Sequence, residues 1–336
     1  MTDKPRIGVI GVGHLGKAHV RVLSNLESCE LVGCYDILSE KSEAAAADNN
    51  TKAFTDAQEL IAECDAISLV APTSEHYKCA IEILNAGKHL FVEKPIAATV
   101  DEAREMINLA DKLNLKLAVG HIERFNPAVI ALADKISHPT FIEGHRLAPF
   151  NFRGLDVAVI FDLMIHDIDL CLFLTKSKVV DIQASAAAVV SDHMDIANAR
   201  LTFESGCVAN LTASRISAKP MRKLRIFQTK GYISIDFSAP SAAVYNLLDS
   251  GETMAEAPGF TTTVDYGDAG KKIAYSKPNI EPYDMLTAEL ESFIDAVTND
   301  GPVAVSGEDG LRALTIAAEI EKIAQAGLDK LQLQLR

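Results

Sequence analysis

The stretch HLFVEKPIA, residues 89–97, ends a buried apolar run abruptly on Glu93, Lys94 and Pro95. In a parallel sheet such a strand end faces the crevice where ligands bind, so Lys94 would point at a cofactor or substrate. Pro95 fixes the backbone and is compatible with a cis Lys94–Pro95 bond, which would aim the ammonium in one direction. The alternative is a plain strand end that reaches solvent before a helix, whose Thr-x-x-Glu capping box begins at Thr99.

A second candidate lies in VAVIFDLMIHDIDLCLFL, residues 157–174, an apolar run that predicts a buried helix over about 155–174. Asp162 and His166 are four residues apart and Asp169 is three further, so an α-helix places them on one face. A His oriented by an Asp is what a general base needs. A buried structural pair is the alternative. A metal site of Asp162, His166 and Asp169 lacks a further clear ligand, and we predict no metal.

A Gly-x-Gly-x-x-Gly motif in GVIGVGHLGKAH directly follows a predicted strand and opens a helix. In this context the glycines allow a tight turn, the approach of a pyrophosphate and close packing of helix on strand, while the helix N-terminus attracts the phosphates. We expect a dinucleotide here, held by Gly11, Gly13, His14, Leu15 and Gly16.

Asp36 ends the second strand, where a carboxylate can accept hydrogen bonds from both ribose hydroxyls and would repel a 2′-phosphate. Ile37 and Leu38 offer no positive charge to hold that phosphate, so NAD is favoured over NADP. The segment APTSEHY, residues 71–77, is expected to line the same crevice. It adds Pro72, Thr73 and His76 to the cofactor residues, together with Glu93 and Lys94, although His76 could equally be a surface histidine.

The elements that must position these residues differ between the two halves of the chain. The segments RIGVIG, LVGCYD, AISLVAP, HLFVEK and KLAVGH alternate with amphipathic helices, which predicts a Rossmann-like, doubly wound parallel sheet. From about residue 140 successive strands predict an α+β domain with an open, mainly antiparallel sheet. We therefore expect a NAD-binding domain at 1–122 and a substrate-binding and oligomerisation domain at 123–336. Residues 251–282 are predicted as loop, and two final helices could pack back on the first domain.

Composition excludes several classes of function. The 336 residues carry 32 basic and 46 acidic side chains, a net charge of -14, which repels nucleic acid and anionic membranes. No apolar stretch approaches the roughly 18 residues that cross a bilayer, and no leader precedes the first strand, so we expect a cytoplasmic protein. The six cysteines are scattered and predict neither a zinc site nor a disulfide framework.

Together these motifs resemble the Gfo/Idh/MocA family of glucose-fructose oxidoreductases, inositol dehydrogenases and rhizopine-catabolism proteins. The resemblance spans nearly the whole chain, from the glycine motif through EKP at 93–95, GHIERFNPA at 120–128 and Asp162-x-x-x-His166 to the ending VSGEDGLRALTIAAEI. It implies reversible hydride transfer between a nicotinamide cofactor and a sugar or cyclitol hydroxyl. Lys94 would polarise that hydroxyl, His166 would take its proton and Asp162 would hold His166.

Within the family, GHIERFNPA and RGLDVAVIFDLMIHDIDL look most like members that oxidise the 3-hydroxyl of UDP-N-acetylglucosamine. A free sugar or inositol remains an alternative substrate. The resemblance also implies a dimer or tetramer that forms through the second-domain sheet. The residues expected to bind substrate are Lys94, His121, Glu123, Arg124, Asn126, Arg146, Arg153 and His166, with the arginines as candidates for a diphosphate.

Two other classes of function share part of this sequence pattern. A sugar-sensing regulator of the same family would keep the dinucleotide fold without catalysis, but it would have no need of Lys94, Asp162 and His166. A bilin or dihydrodipicolinate type reductase would share the first domain but gives no reason for Asp162-x-x-x-His166.

Overall fold

The computed structural model describes residues 4–151, 157–238, 241–253, 259–266 and 270–334. The chain forms two compact units, Met1–Ile122 with Asp284–Leu314 and Glu123–Tyr283 with Thr315–Arg336. Within the described residues, no helix is both long and apolar enough to cross a membrane.

The first unit is a six-stranded parallel sheet in the order β3-β2-β1-β4-β5-β6. Numbered along the chain, its strands are β1 Arg6–Ile10, β2 Glu30–Tyr35, β3 Lys52–Ala53, β4 Ala66–Leu69, β5 His89–Glu93 and β6 Leu117–Gly120. Its helices are α1 His14–Asn25, α2 Ser39–Asp48, α3 Ala57–Glu63, α4 Thr73–Asn85, α5 Val100–Lys112 and α8 Met285–Thr298. The order reverses between β1 and β4, so the ligand crevice of such a sheet is expected at their carboxyl ends.

The second unit is built on a nine-stranded sheet in the order β14-β15-β13-β12-β11-β7-β10-β9-β8. Neighbouring strands are antiparallel except β7 and β10, which run parallel. The strands are β7 Phe141–Leu147, β8 Val179–Ala187, β9 Ile196–Phe203, β10 Val208–Ser214, β11 Met221–Gln228, β12 Gly231–Asp236, β13 Ser241–Leu248, β14 Gly259–Tyr266 and β15 Lys271–Pro278. The predicted fold class is confirmed in both halves.

Helices line one face of this second sheet. They are α6 Pro127–Leu132 and α7 Ile165–Thr175. The last helix of the chain is α9 Gly307–Gln334. Strand β7 shows why the sheet has a covered face, because Ile142, Gly144 and Arg146 are buried while the residues between them are partly exposed. A buried arginine on that covered face is unusual and needs local compensation.

Two expectations about secondary structure are wrong. The interval 251–282 was predicted as loop, yet it contains β14 and β15. Strand β14 lies at the sheet edge, and its residues 259–265 are exposed, so no apolar alternation marks it as a strand. The predicted continuous α-helix is also interrupted, because Ile160–Met164 forms a π-helical turn before α7 begins.

Candidate active site

The glycine loop between β1 and α1 has the geometry that each glycine of the motif requires. Gly11 has a φ of +89°, and a side chain there would also collide with the backbone of Ala71. A Cβ on Gly16 would lie 1.9 Å from the carbonyl oxygen of Gly11, so α1 packs directly on the loop. A Cβ on Gly13 would meet nothing within 4 Å. The loop is therefore closed at Gly11 and Gly16 and open at Gly13.

Asp36 follows β2 and ties this loop in place. Its Oδ2 accepts a hydrogen bond of 2.7 Å from the backbone N–H of Val12, and its Oδ1 accepts one of 3.0 Å from that of Leu38. A carboxylate has about four acceptor positions, so both oxygens keep capacity for ribose hydroxyls. Ile37 beside it is 87% exposed. Asp36 thus shapes the loop as well as offering acceptors to a ligand.

Helix α1 begins at His14, and both His14 and Leu15 are exposed at its N-terminus. The backbone N–H groups of the first helical turn have no helical partners, and the helix dipole makes this end partly positive. The phosphate site predicted from the sequence thus combines the N-terminus of α1 with the open backbone at Gly13. This local arrangement can attract an anion although the protein has a net charge of -14.

Lys94 directly follows β5, and its side chain is partly buried. The Lys94–Pro95 peptide bond is cis, with which the sequence was compatible. Glu93 is buried, and its Oε2 accepts a hydrogen bond of 3.3 Å from the backbone N–H of Lys94. The carboxylate lies against the Cα of Gly120 in β6, where a Cβ would come within 2.8 Å of Oε1.

His76 is buried in α4, so the alternative of a surface histidine is wrong. Its Nδ1 lies 2.9 Å from the carbonyl oxygen of Pro95, and its Nε2 lies 2.8 Å from that of Ala71. Burial lowers the pKa of His76, and the two carbonyls oppose that shift only in part. The ring joins the loop after β4 to the loop that carries Pro95. Pro72 and Thr73, which begin α4, belong to the same loop.

Asp162 and His166 lie in the second unit, on and just after the π-helical turn Ile160–Met164, and both are partly buried. A π turn holds its hydrogen bonds five residues apart, so the α-helical spacing assumed for this pair does not apply within the turn. Such turns are rare and are frequent at functional sites. The backbone irregularity thus falls on the residue expected to orient His166.

Residues of GHIERFNPA that were expected to bind substrate enter a buried network of charges instead. Arg146 of β7 donates to Asp167 Oδ1 at 2.7 Å and to Glu123 Oε1 at 2.8 Å. Burial opposes the charge of Arg146, but Asp167 and Glu123 raise its pKa above the usual value. For Glu123, burial alone would raise the pKa. The positive charges of Arg146 and Arg222 outweigh that effect, so the pKa of Glu123 is lowered.

The same network continues on both sides. Arg124 forms a fork on Asp169, with distances of 2.8 and 2.6 Å. Asn126 caps α6 through Ala128 N–H and donates to Glu123 Oε2 at 3.3 Å. These contacts favour a structural role for Arg124, Asn126, Glu123 and Arg146, contrary to the expectation of direct substrate contact. Arg222 also donates to Glu123, and its side chain is 43% exposed.

The remaining predicted residues are placed more simply. His121, at the end of β6 in the first unit, is buried. Arg153 lies outside the described residues. Asp169, considered above as a metal ligand, is held by Arg124, and no group of metal-binding side chains was found among the residues that the structure describes.

Comparisons with known proteins identify the family. The model described as "Oxidoreductase family, NAD-binding Rossmann fold" matches residues 5–121, and that of the Gfo/Idh/MocA C-terminal domain matches residues 143–234. The UDP-N-acetylglucosamine 3-dehydrogenase of Acidithiobacillus ferrooxidans is 38% identical over 97% of this chain and 99% of that protein. The chain belongs to the Gfo/Idh/MocA oxidoreductase family.

Further relatives agree with this assignment. The crystallised UDP-N-acetylglucosamine 3-dehydrogenase from A. ferrooxidans matches with a TM-score of 0.87 at 37% identity, covering 96% of this chain and 98% of that chain. Myo-inositol 2-dehydrogenase from Thermotoga maritima is 27% identical over 94% of this chain and 95% of that protein. The predictions of this family and of an oxidoreductase are thus confirmed.

The glycine loop of this Gfo/Idh/MocA protein fits the dinucleotide that its family model describes. Gly13 leaves open space where a pyrophosphate must approach the backbone, while Gly11 and Gly16 close the turn beneath it. Asp36 keeps acceptor positions beside this loop. The open backbone at Gly13 therefore fits a phosphate in spite of the net charge of -14.

Sequence reasoning missed His19, which is fully buried in α1 and contacts both Ser68 and Glu93. Gly16, Val20 and Leu23 lie on the same buried face of the helix. A histidine on the apolar face of a helix is expected to be buried, and a buried imidazole needs a polar partner. The position of His19, three residues after Gly16, was therefore a signal that such a partner lies in the sheet under α1.

We expect alanine substitutions at Gly13 and Gly16 to have opposite effects. Gly16→Ala should lower the melting temperature, because its Cβ would overlap the carbonyl of Gly11. Gly13→Ala should melt like the wild type yet bind NAD about tenfold or more weakly, since its methyl occupies the approach of the pyrophosphate. Calorimetric melting without ligand and titration with NAD measure the two effects. Wild-type NAD affinity in Gly13→Ala would contradict this placement of the cofactor.

Proposed function

We propose that this protein is an NAD-dependent dehydrogenase that oxidises the 3-hydroxyl of UDP-N-acetylglucosamine or a close relative. The observation that carries the proposal is the likeness to the A. ferrooxidans UDP-N-acetylglucosamine 3-dehydrogenase, which extends over 97% of the chain. A likeness that included only the first unit would support a nucleotide site and nothing about the sugar.

The proposed chemistry needs a proton acceptor and a donor to the reacting oxygen. We infer that Lys94 donates a hydrogen bond to that oxygen and offsets the negative charge that grows on it. His166 takes the hydroxyl proton, and Asp162 orients His166 from the π-helical turn. As the C–H bond breaks, its electron pair leaves with the hydrogen and a C=O double bond forms. Bound NAD supplies the hydride acceptor.

The choice of a nucleotide sugar does not depend on the arginines suggested by the sequence. Arg124 and Arg146 are engaged by buried carboxylates, as described above. Support for the uridine nucleotide therefore comes from the relative alone, and a free sugar or inositol is the second candidate. The 27% identity to an inositol dehydrogenase supports inositol as an alternative substrate. A regulator without catalysis would not need Lys94, Asp162 and His166 together.

We expect NADH formation with UDP-N-acetylglucosamine to exceed that with free N-acetylglucosamine, glucose or myo-inositol. Lys94→Ala and His166→Ala should each lower turnover roughly 100-fold or more, with NAD affinity nearly unchanged. Lys112→Ala and His138→Ala, which replace exposed residues of the same types, serve as controls.

The outcomes of this assay are distinct. Equal or faster oxidation of an unphosphorylated sugar would refute the nucleotide-sugar assignment and leave the dehydrogenase intact. Full turnover in Lys94→Ala would refute the proposed mechanism. No NADH with any of these substrates would favour the regulator.

NAD rather than NADP is proposed as the cofactor because the Asp36 carboxylate would repel a 2′-phosphate. Its contact with Val12 means that Asp36→Ala would also loosen the glycine loop. Asp36→Asn keeps an acceptor oxygen and the side-chain shape while removing the charge. We expect it to shift the ratio of NAD to NADP affinity about tenfold toward NADP. Calorimetric titrations measure the ratio, and a wild-type protein that binds NADP at least as tightly as NAD would contradict the assignment.

We also propose that copies of the chain associate through the open face of the nine-stranded sheet. Six aromatic side chains follow one another across neighbouring strands on this face. The shortest distance between the centroids of two consecutive rings is 4.7 Å. This aromatic ladder consists of Phe141, Phe227, Tyr232, Tyr245, Tyr275 and Phe260. Its members are partly exposed, and Phe260 is 61% exposed. Exposed, contiguous aromatic surface is typical of an interface.

Tyr245→Lys should lower the molar mass that light scattering measures in solution, because it places a charge in the middle of the aromatic ladder. Ile130→Lys, at an exposed apolar residue of α6, is the matched control and should leave the mass unchanged. A monomeric wild-type protein would overturn the proposed association.

A further inference from the structure

A buried chain of polar groups lies directly behind Lys94 in the first unit. His19 is fully buried in α1, and its Nδ1 lies 2.9 Å from the hydroxyl oxygen of Ser68 in β4. The other ring nitrogen, Nε2, lies 3.2 Å from Glu93 Oε1. This second contact has the distance of an ion pair but not the straight geometry of a hydrogen bond. Glu93 Oε2 accepts from the backbone N–H of Lys94.

The Ser68 hydroxyl can decide which nitrogen of the His19 ring carries a proton. If it donates to Nδ1, the ring carries a proton on Nε2, the atom that lies 3.2 Å from Glu93 Oε1. His19 also packs against the ring of Phe91, 5.7 Å between centroids, and it is fully buried. Electrostatic interactions strengthen in such a setting. The His19 ring therefore lies against the carboxylate of the residue that precedes Lys94.

We propose that His19, oriented by Ser68, is a positioning residue for Lys94 that acts through Glu93. The inference rests on the proposed function, in which Lys94 contacts the reacting hydroxyl. His19 and Gly120 hold the Glu93 carboxylate from two sides, and that carboxylate accepts the hydrogen bond from the backbone N–H of Lys94 and so fixes the point from which the lysine side chain extends. His19 itself touches neither cofactor nor substrate in this scheme.

Two amide substitutions separate the contacts of His19. A glutamine side chain can place its amide where Nε2 lies and retain the contact with Glu93. An asparagine is one methylene shorter and can replace only Nδ1, so it retains the contact with Ser68. We expect His19→Asn to lower kcat on the order of 10- to 100-fold, because small misplacements of a reacting group carry that cost, with KM for NAD unchanged. His19→Gln should restore most of the turnover.

Chemical labelling of Lys94 provides a readout that does not need turnover. An amine-reactive reagent at one fixed alkaline pH, followed by mass spectrometry, gives the labelling rate of this residue. Displacing the carboxylate should loosen the backbone of Lys94 and open its side chain to the reagent, so Lys94 in His19→Asn should react about threefold faster or more than in the wild type. His19→Gln should react at the wild-type rate.

Melting temperatures separate positioning from stability. If kcat and labelling follow the melting temperature in both variants, or if His19→Asn and His19→Gln behave alike, the proposal is overturned. Should His19→Asn fail to fold, Ser68→Ala decides, because it removes only the group that orients the ring and must then lower kcat and speed the labelling. A wild-type protein that oxidises no sugar would refute the proposed function, while the labelling comparison would still test His19.

Discussion

A carboxylate withdrawn from water must be compensated where it lies, and two such carboxylates stand next to the proposed catalytic residues. Glu93 precedes Lys94 and is held by His19, while Asp167 follows His166 and is held by Arg146. Removing Arg146 would leave Asp167 as a buried charge without compensation, a change that typically costs about 3–5 kcal/mol. The residue beside each proposed catalytic residue is therefore held by a partner that lies far away in the sequence.

The two anchors differ in a way that matches their surroundings. In the first unit, Glu93 lies 3.2 Å from the Nε2 atom of His19 and accepts a hydrogen bond from the backbone N–H of Lys94. In the second unit, Asp167 shares Arg146 with Glu123, and Arg222 adds a further positive charge. The pKa of Glu123 is lowered accordingly. The first anchor acts on the backbone of Lys94, whereas the second joins strand β7 to helix α7.

The motifs whose chemistry depends on backbone geometry could be predicted from the sequence. The turn at Gly11 and Gly16 is required by local sterics, and Asp36 is marked by its place directly after a buried strand, so both are visible in neighbouring residues. The π-helical turn at Asp162 was not visible, because the apolar pattern of its residues is equally that of a buried α-helix. Strand β14 was missed for the opposite reason, since an exposed edge strand has no apolar pattern at all.

Partners distant in sequence account for the residues whose roles the sequence misjudged. Arg146 resembled a diphosphate ligand because an arginine beside a polar segment is ordinarily exposed. Only the fold reveals that Asp167, 21 residues away, and Glu123, 23 residues away, occupy its guanidinium. His19 and Glu93 are likewise far apart along the chain and meet through the packing of α1 on the sheet. Each anchor acts on the neighbour of a proposed catalytic residue, and it thereby holds the backbone beside Lys94 and beside His166.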